Sequence, residues 1–534
     1  MRSKTLYVTT PLYYVNAAPH IGHSYTEVAA DCLARYHRLS GGSVFLLTGT
    51  DEHGQKIEQA ASAAGETPPV FVDRVVQRFV ELWKTLQISY DDFIRTTQPR
   101  HVEAVQAILA RLHHDGKLVR AAYHGWYCTP DETFWTEAEL SANATPGQGP
   151  SCPSCQRPLE PVKEDGWHLP LRAAQPWLAR FITTHPTFIQ PASRYNELAS
   201  LLEQPLPESL CITRPRHRVA WGIPVPFSQE HVTYVWFDAL LNYITAPGYL
   251  GDPARFSTLW PADLHVIGKD ILRHHALYWP IILHALGFTD DQMPRTIFAH
   301  GWWKIGEQKM SKSLGNIVDP AVVVGEVLKG QPYAADVYRY FLLREVPFGQ
   351  DGSFSEDAII KRLDSDLAND LGNLVNRTLS MIERYHGGVI RPVPLDALDA
   401  IGADADRPLA ERARGLAATV ERAMERLEFS VALETLMSLV SHANQYIEAS
   451  APWKQAKAGQ AQKVQRILSV LSEVVRIVAI TLDPFMPSIA EAIWQQLGCG
   501  TTPRRLQDVT VWPGLPDGQP IGPHPVLFPR SHIP

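Results

Sequence analysis

His20 and His23 enclose Ile21-Gly22 where an apolar run, Leu6-Tyr7-Val8-Thr9-Thr10, gives way to a helix-patterned segment. Imidazoles there have a chemical use. A helix N-terminus gathers unpaired N–H groups and the positive end of the helix dipole, which suit phosphate. Each histidine can add a hydrogen bond to a phosphate oxygen, and Gly22 keeps the backbone open to a flat base. Far downstream, Lys309-Met310-Ser311-Lys312-Ser313-Leu314-Gly315-Asn316 places two lysines and two hydroxyls in one loop. Mobile ammonium groups and short donors are what the leaving half of a triphosphate requires. Taken singly, the histidine pair is a surface turn and the lysine loop a solvated one. In this order, they point to a single nucleoside triphosphate. Neither a Walker A sequence nor GxGxxG occurs, which removes those other phosphate-binding devices.

A second constellation has metal-ligand spacing. Cys128-Thr129-Pro130-Asp131 and Cys152-Pro153-Ser154-Cys155 are two short pairs joined by a loop, the pattern of a zinc knuckle. Cys128, Asp131, Cys152 and Cys155 would give three sulfurs and one oxygen. Four protein ligands leave no open position, so the metal would be structural. The alternative is a metal-free knuckle with free thiols. Cys32, Cys211 and Cys499 are isolated and are expected to be buried hydrophobes.

The elements that must position these groups follow from periodicity. Val28, Ala29, Cys32, Leu33 and Tyr36 recur on one helical face up to Gly41-Gly42, and Val44-Phe45-Leu46-Leu47 then leads into Thr48-Gly49-Thr50-Asp51-Glu52-His53-Gly54. Strand, helix and strand with so short a return predict a parallel βαβ unit, with ligand beyond the carboxyl ends of the strands. A helix carrying Val72, Val75, Val76, Phe79, Trp83 and Leu86 follows, then another from about His101 to His114. Between about 117 and 230, short aromatic runs and Pro/Gly-rich connectors replace the long periodic segments, as in an inserted domain. Residues 232–238, 264–270 and 295–301 read as three more buried strands. From about 355 to 500 the pattern is helical with short connections, predicting an antiparallel bundle.

The expected fold class is therefore α/β: a Rossmann-type parallel sheet with an inserted knuckle domain, then an all-α bundle. A chain of 534 residues is too long for one core. A net charge of −7 argues against wholesale coating by nucleic acid but not against a local basic face. Six cysteines form no disulfide scaffold and favour a reducing compartment. Met1-Arg2-Ser3-Lys4 runs straight into the first strand, and no apolar run reaches membrane-spanning length. A soluble, cytoplasmic protein without membrane association is expected.

His20-Ile21-Gly22-His23 followed by Lys309-Met310-Ser311-Lys312-Ser313 resembles the signature pair of the class I aminoacyl-tRNA synthetases. The surrounding residues resemble the methionyl-tRNA synthetases in particular. Tyr14-Val15-Asn16 with Pro19, Thr48 to Gly54, Arg214 to Pro224, Tyr234 to Ala239, Ile267 to Ile271 and Ala451-Pro452-Trp453 carry the likeness over most of the chain.

The resemblance implies ATP-dependent activation of L-methionine to methionyl-adenylate, with magnesium accompanying ATP, and transfer to elongator and initiator tRNA(Met). It implies catalysis by His20, His23, Lys309 and Lys312, with Gly22, Ser311 and Ser313 also at ATP. Its methionine pocket falls on Leu12, Tyr14, Trp236, Ala239, Tyr243, Ile271 and His275, with Asp51 on the amino group. Asn373, Arg377 and Trp453 would read the anticodon. Single-knuckle relatives place cysteine where this chain has Asp131, which leaves zinc ligation there to a carboxylate.

Implied domains are 1–116 and 231–320 for the catalytic halves, 117–230 for the insertion, 321–369 for a stem-contact connector and 370–534 for anticodon binding. The chain stops soon after the bundle without a dimerising OB-fold, so a monomer is expected. Another nucleotidyltransferase carrying HxGH, a synthetase for a different amino acid, and a non-catalytic RNA-binding paralogue are the competing readings. The insertion is too short for the editing domains of the isoleucine, valine and leucine enzymes.

Overall fold

The computed structural model describes residues 5–141, 150–306, 308–309, 317–401 and 405–529. The chain divides into two compact units: Met1–Pro19, Val44–Leu82 and Tyr90–Gly301 form the first, and His20–Ser43, Trp83–Ser89 and Trp302–Pro534 the second.

Strands of the first unit are β1 (Leu6–Thr9), β2 (Tyr13–Tyr14), β3 (Val44–Asp51), β4 (Asp92–Arg95), β5 (Val119–Cys128), β6 (Thr133–Trp135), β7 (Glu160–Pro170), β8 (Ile189–Gln190), β9 (Ser209–Cys211), β10 (Thr213–Pro215), β11 (His231–Thr233), β12 (Leu264–Gly268) and β13 (Ile297–His300). The principal sheet is parallel throughout. It runs β4-β3-β1-β12-β13-β8, and β2 continues the line of β1 along the edge of β3. β1 thus has β3 on one side and β12 on the other. That reversal of strand order opens a crevice at the carboxyl ends, the usual ligand position in such sheets. The central strands are near-continuous apolar runs because both faces are covered: Val8, Leu46, Leu47, Val266, Ile267 and Ile297 are all buried.

The insertion forms an antiparallel sheet, β6-β5-β7-β9, with a small core of Cys128, Trp135, Leu140, Cys152 and Leu159. Within 117–230 the chain also returns to the principal sheet, since β8 pairs in parallel with β13. The strand expected at 232–238 is corrected. Only His231–Thr233 pairs as a strand, and Val235–Thr245 is a helix buried on nearly every side. All-round burial erases the helical stripe, leaving an apolar run that looks like a strand.

In the second unit, β14 (Trp303–Ile305) lies between β15 (Gln308–Lys309) and β16 (Gly352–Ser353). Helices Asn373–His386, Asp406–Arg414, Leu416–Glu425, Phe429–Ser450, Ala461–Leu482 and Pro487–Gln496 make the bundle. Ala461–Leu482 is its axis, with every residue from Arg466 to Leu482 buried. Among the described residues, no helix is long and apolar enough to cross a membrane.

Candidate active site

In the first unit, the expected pocket residues gather at the carboxyl ends of β1, β3 and β12. Leu12, Tyr14, Trp236 and Ile271 are half-buried and packed against the core, which is how the lining of an open slot looks. Trp236, Ala239 and Tyr243 share one face of helix Val235–Thr245. Trp236 stacks on His274, with ring centroids 3.7 Å apart. His275 lies in a π-helical turn, His274–Tyr278, a local widening that often marks functional sites. Its Nδ1 is 3.0 Å from the Ile271 carbonyl, which only accepts, so Nδ1 carries the proton and Nε2 accepts from the Tyr243 hydroxyl at 2.7 Å. Burial pushes the His275 pKa down to about 4, so the ring is neutral near pH 7. The Tyr243 hydroxyl therefore spends its proton on His275 and keeps only acceptor capacity.

A chain of carboxylates and imidazoles sits beneath. Asp51 pairs in register with Tyr14 at the end of β3. Its side chain is buried, and among the described residues Oδ1 has no hydrogen-bond partner. Burial, then the charges of Asp238 and Glu132, hold its pKa well above the usual carboxylate range. Asp238 has the opposite balance. Burial pushes its carboxyl up, but His53 at 2.7 Å and His101 at 2.7 Å outweigh that and hold it below the ordinary value. Glu52 is fully buried and satisfied by Thr50, Thr97 and Arg95. Of three consecutive polar residues, only Asp51 keeps an oxygen for a ligand. A buried carboxylate left in that state calls for a cation. The Tyr14 hydroxyl donates to the His53 carbonyl at 2.7 Å, tying this group to the pocket wall.

In the second unit, helix Ile21–Leu39 begins as expected, with His20 as its N-cap. His20 Nδ1 accepts from the Gly22 N–H at 3.1 Å, and His23 Nδ1 accepts from the His20 N–H at 3.3 Å. With both Nδ1 lone pairs engaged, a neutral ring carries its proton on Nε2. The rings stack 3.7 Å apart. A Cβ at Gly22 would lie 3.0 Å from the His20 ring, so glycine first makes room for that ring. Lys309 pairs through its backbone with Lys304. Ser311, Lys312 and Ser313 lie outside the described residues.

The knuckle residues do converge. Donor atoms of Cys128, Asp131, Cys152 and Cys155 lie within 4.8 Å of one another. Cys128 Sγ and Cys155 Sγ are 3.5 Å apart, and Cys152 Sγ is 3.2 Å from Asp131 Oδ2. A tetrahedron of Zn–S bonds places sulfurs about 3.8 Å apart, so the donor set fits zinc. In the bundle, the Arg377 guanidinium lies 5.7 Å from the Trp453 ring centroid and 2.6 Å from Glu448. Trp453 is 37% exposed, a large ring left to solvent. Asn373, one turn earlier on the same face, donates to Asn444 at 3.3 Å. Three residues of these clusters went unsingled in the sequence: Glu132, which contacts Tyr14, and Asp238 and His274. Only their adjacency to Asp131, Ala239 and His275 pointed to them.

Two family models match the chain: "tRNA synthetases class I (M)" over residues 6–379, and "Anticodon-binding domain of tRNA ligase" over 406–515. The chain is 45% identical to the methionine–tRNA ligase of Caldanaerobacter subterraneus subsp. tengcongensis, covering 99% of this chain and 79% of that one. It is 42% identical to the methionine–tRNA ligase of Bacillus subtilis, covering 99% and 78%. The structure superposes on Mycobacterium tuberculosis methionyl-tRNA synthetase in complex with methionyl-adenylate with a TM-score of 0.91 and 40% identity, covering 99% of this chain and all of that one. Against the free form of the same enzyme, the TM-score is 0.83 and the identity 37%, with 99% of each chain covered. Matched over nearly its whole length in sequence and in fold, the chain belongs to the methionine–tRNA ligase family of the class I tRNA synthetases.

Proposed function

We propose that this chain joins L-methionine to tRNA(Met), elongator and initiator, in two displacements. A methionine carboxylate oxygen attacks the α-phosphorus of ATP and pyrophosphate leaves. The terminal ribose hydroxyl of the tRNA then attacks the activated carbonyl and AMP leaves. Neither step needs a nucleophile from the protein. What is needed is orientation and stabilisation of charge on phosphate.

The observation that carries this reading is the buried Oδ1 of Asp51, without a hydrogen-bond partner among the described residues and set among aromatic and aliphatic pocket residues. It suits the ammonium of an amino acid whose side chain is apolar. Leu12, Trp236, Ala239, Ile271 and the Tyr243 ring, whose hydroxyl is held by His275, take the thioether, with Tyr14 beside Asp51. His20 and His23 donate Nε2–H to ATP phosphate, with Gly22 at the helix start. Lys309 and Lys312, with Ser311 and Ser313, take the pyrophosphate. Magnesium arrives with ATP. Zinc at the knuckle would hold the insertion in shape and supply no chemistry. Residues 1–116 and 231–320 carry activation, 117–230 the knuckle, 321–369 the stem contact and 370–534 the anticodon. We take the protein to act as a cytoplasmic monomer.

Amino-acid-dependent exchange of pyrophosphate into ATP tests the reading. Methionine alone among the twenty is expected to support exchange, and exchange with another amino acid or with none would refute it. Trp453 separates the two halves. Loss of one base stack is worth roughly 1–3 kcal/mol, so Trp453→Ala is expected to lower kcat/KM for tRNA charging by about 5- to 150-fold. Exchange should stay at the wild-type rate, and an equal fall in both would remove Trp453 from the anticodon site.

A further inference from the structure

Glu132 follows the knuckle residue Asp131, yet it points away from the metal cluster and into the first unit's pocket. It is 4% exposed and has a left-handed backbone, φ +49°. Its Oε1 accepts from the Lys56 N–H at 2.7 Å and lies 3.2 Å from the Tyr14 hydroxyl. Tyr127 donates to Oε2, and Tyr234 donates to the Glu132 carbonyl. The preceding carbonyl, that of Asp131, accepts from the Trp236 indole at 3.2 Å. Lys56 closes the group from above: its Nζ donates to the Pro130 carbonyl at 2.8 Å and lies 5.1 Å from the Tyr14 ring centroid. Gly54 has φ +104°, and a Cβ there would come 2.5 Å from Tyr14 Oη and 3.0 Å from Glu132 Oε1. Glycine at 54 is what lets these oxygens approach.

We propose that Glu132 is a positioning residue for the methionine site, fixing Tyr14 and the start of helix Gln55–Ala63 from the knuckle loop. The inference rests on the methionine reading above. Consecutive residues of one loop hold two pocket walls, Trp236 through a carbonyl and Tyr14 through a carboxylate. Glu132 itself touches no substrate. Its loss frees the Tyr14 ring to sample other rotamers, and that loosens the amino-acid slot while leaving phosphate contacts alone.

The test compares exchange kinetics, metal content and melting temperature of the full chain with Glu132→Ala, Glu132→Gln, Tyr14→Phe and the Ala/Phe double variant. Glu132→Ala is expected to raise the methionine KM by about 10- to 100-fold, with the ATP KM within about two-fold and bound metal per chain unchanged. Glu132→Gln, whose Oε1 still accepts from Lys56, should recover most of that loss. In the Tyr14→Phe background the Glu132→Ala effect should shrink to less than half. An unchanged methionine KM, an equal rise in both KM values, loss of metal, or full additivity with Tyr14→Phe would each overturn the proposal. If Glu132→Ala does not fold, Glu132→Met, which keeps the volume but accepts no comparable hydrogen bond, takes its place in both the KM comparison and the coupling to Tyr14→Phe. Wild-type protein that fails to exchange with methionine would instead overturn the methionine reading.

Discussion

Asp51→Asn is expected to raise the methionine KM by about two to three powers of ten and, at neutral pH, to raise the melting temperature of the ligand-free protein. Opposite signs are the signature of a carboxylate kept for a ligand. Removing one partner of a buried charge pair costs about 3–5 kcal/mol, most of which falls on the complex here. In the empty protein the same carboxylate is a burden. Burial and the charges of Asp238 and Glu132 raise its folded pKa above the unfolded value near 4. A raised carboxylate penalises the folded state once pH exceeds the unfolded value, and the penalty grows until pH passes the folded one. Asparagine removes it. The gain in melting temperature should be about 1–4 °C at neutral pH and vanish below about pH 4. Methionine affinity in the wild type should fall as pH drops through the raised Asp51 pKa, because the ammonium then loses its counter-charge. Exchange kinetics and thermal unfolding across pH check both halves. A variant with methionine KM within three-fold of wild type would mean that Asp51 does not face the amino group.

What could be read from residue order was what has short range. The helix after His20, the βαβ return to β3 and the knuckle spacing depend on neighbours within about forty positions. All are present in the structure. Two-residue strands such as β2 and β8 leave no periodicity to detect, although β2 sets Tyr14 against Asp51. Helix Val235–Thr245 read as a strand because burial on all sides removes its polar face. The contrast within Asp51-Glu52-His53 was also invisible. Three polar residues in a row look alike until Arg95 is seen to neutralise Glu52, and Asp238 to hold His53, while Asp51 is left with an open oxygen. Those partners lie 43 to 185 positions away, and no local pattern encodes them. Glu132 escaped for the same reason: its neighbour's side chain serves the knuckle while its own serves Tyr14.

The second large effect lies in the helical unit. Arg339→Met is expected to destabilise that unit by about 3–5 kcal/mol. Arg339 and Asp31 are fully buried and 2.7 Å apart. The guanidinium also donates to the carbonyls of Leu86, Pro484 and Phe485, each at 3.0 Å. It thereby joins helix Ala334–Arg344 to the end of the bundle's axis and to the segment after Thr85. Asp31 belongs to the helix that opens with His20 and His23, so the same pair anchors the phosphate-binding end. Methionine fills the volume but leaves three carbonyls and one carboxylate short of a donor. Burial pushes the Asp31 carboxyl up, yet Arg339, Arg35 and Ser89 together hold it below the usual range. A lowered carboxylate lends stability above its unfolded pKa, and that stability is lost as pH falls through the folded value. The wild type should therefore lose more stability on acidification below about pH 4 than Arg339→Met does. Asp31→Asn combined with Arg339→Met should cost less than the sum of the two, because the stranded carboxylate is gone. Calorimetry at neutral and acid pH reads all three quantities, and additive losses would show that the two residues act independently. Methionine-dependent exchange should fail in Arg339→Met at the temperature where the second unit melts, since His20 and His23 lose their helix there.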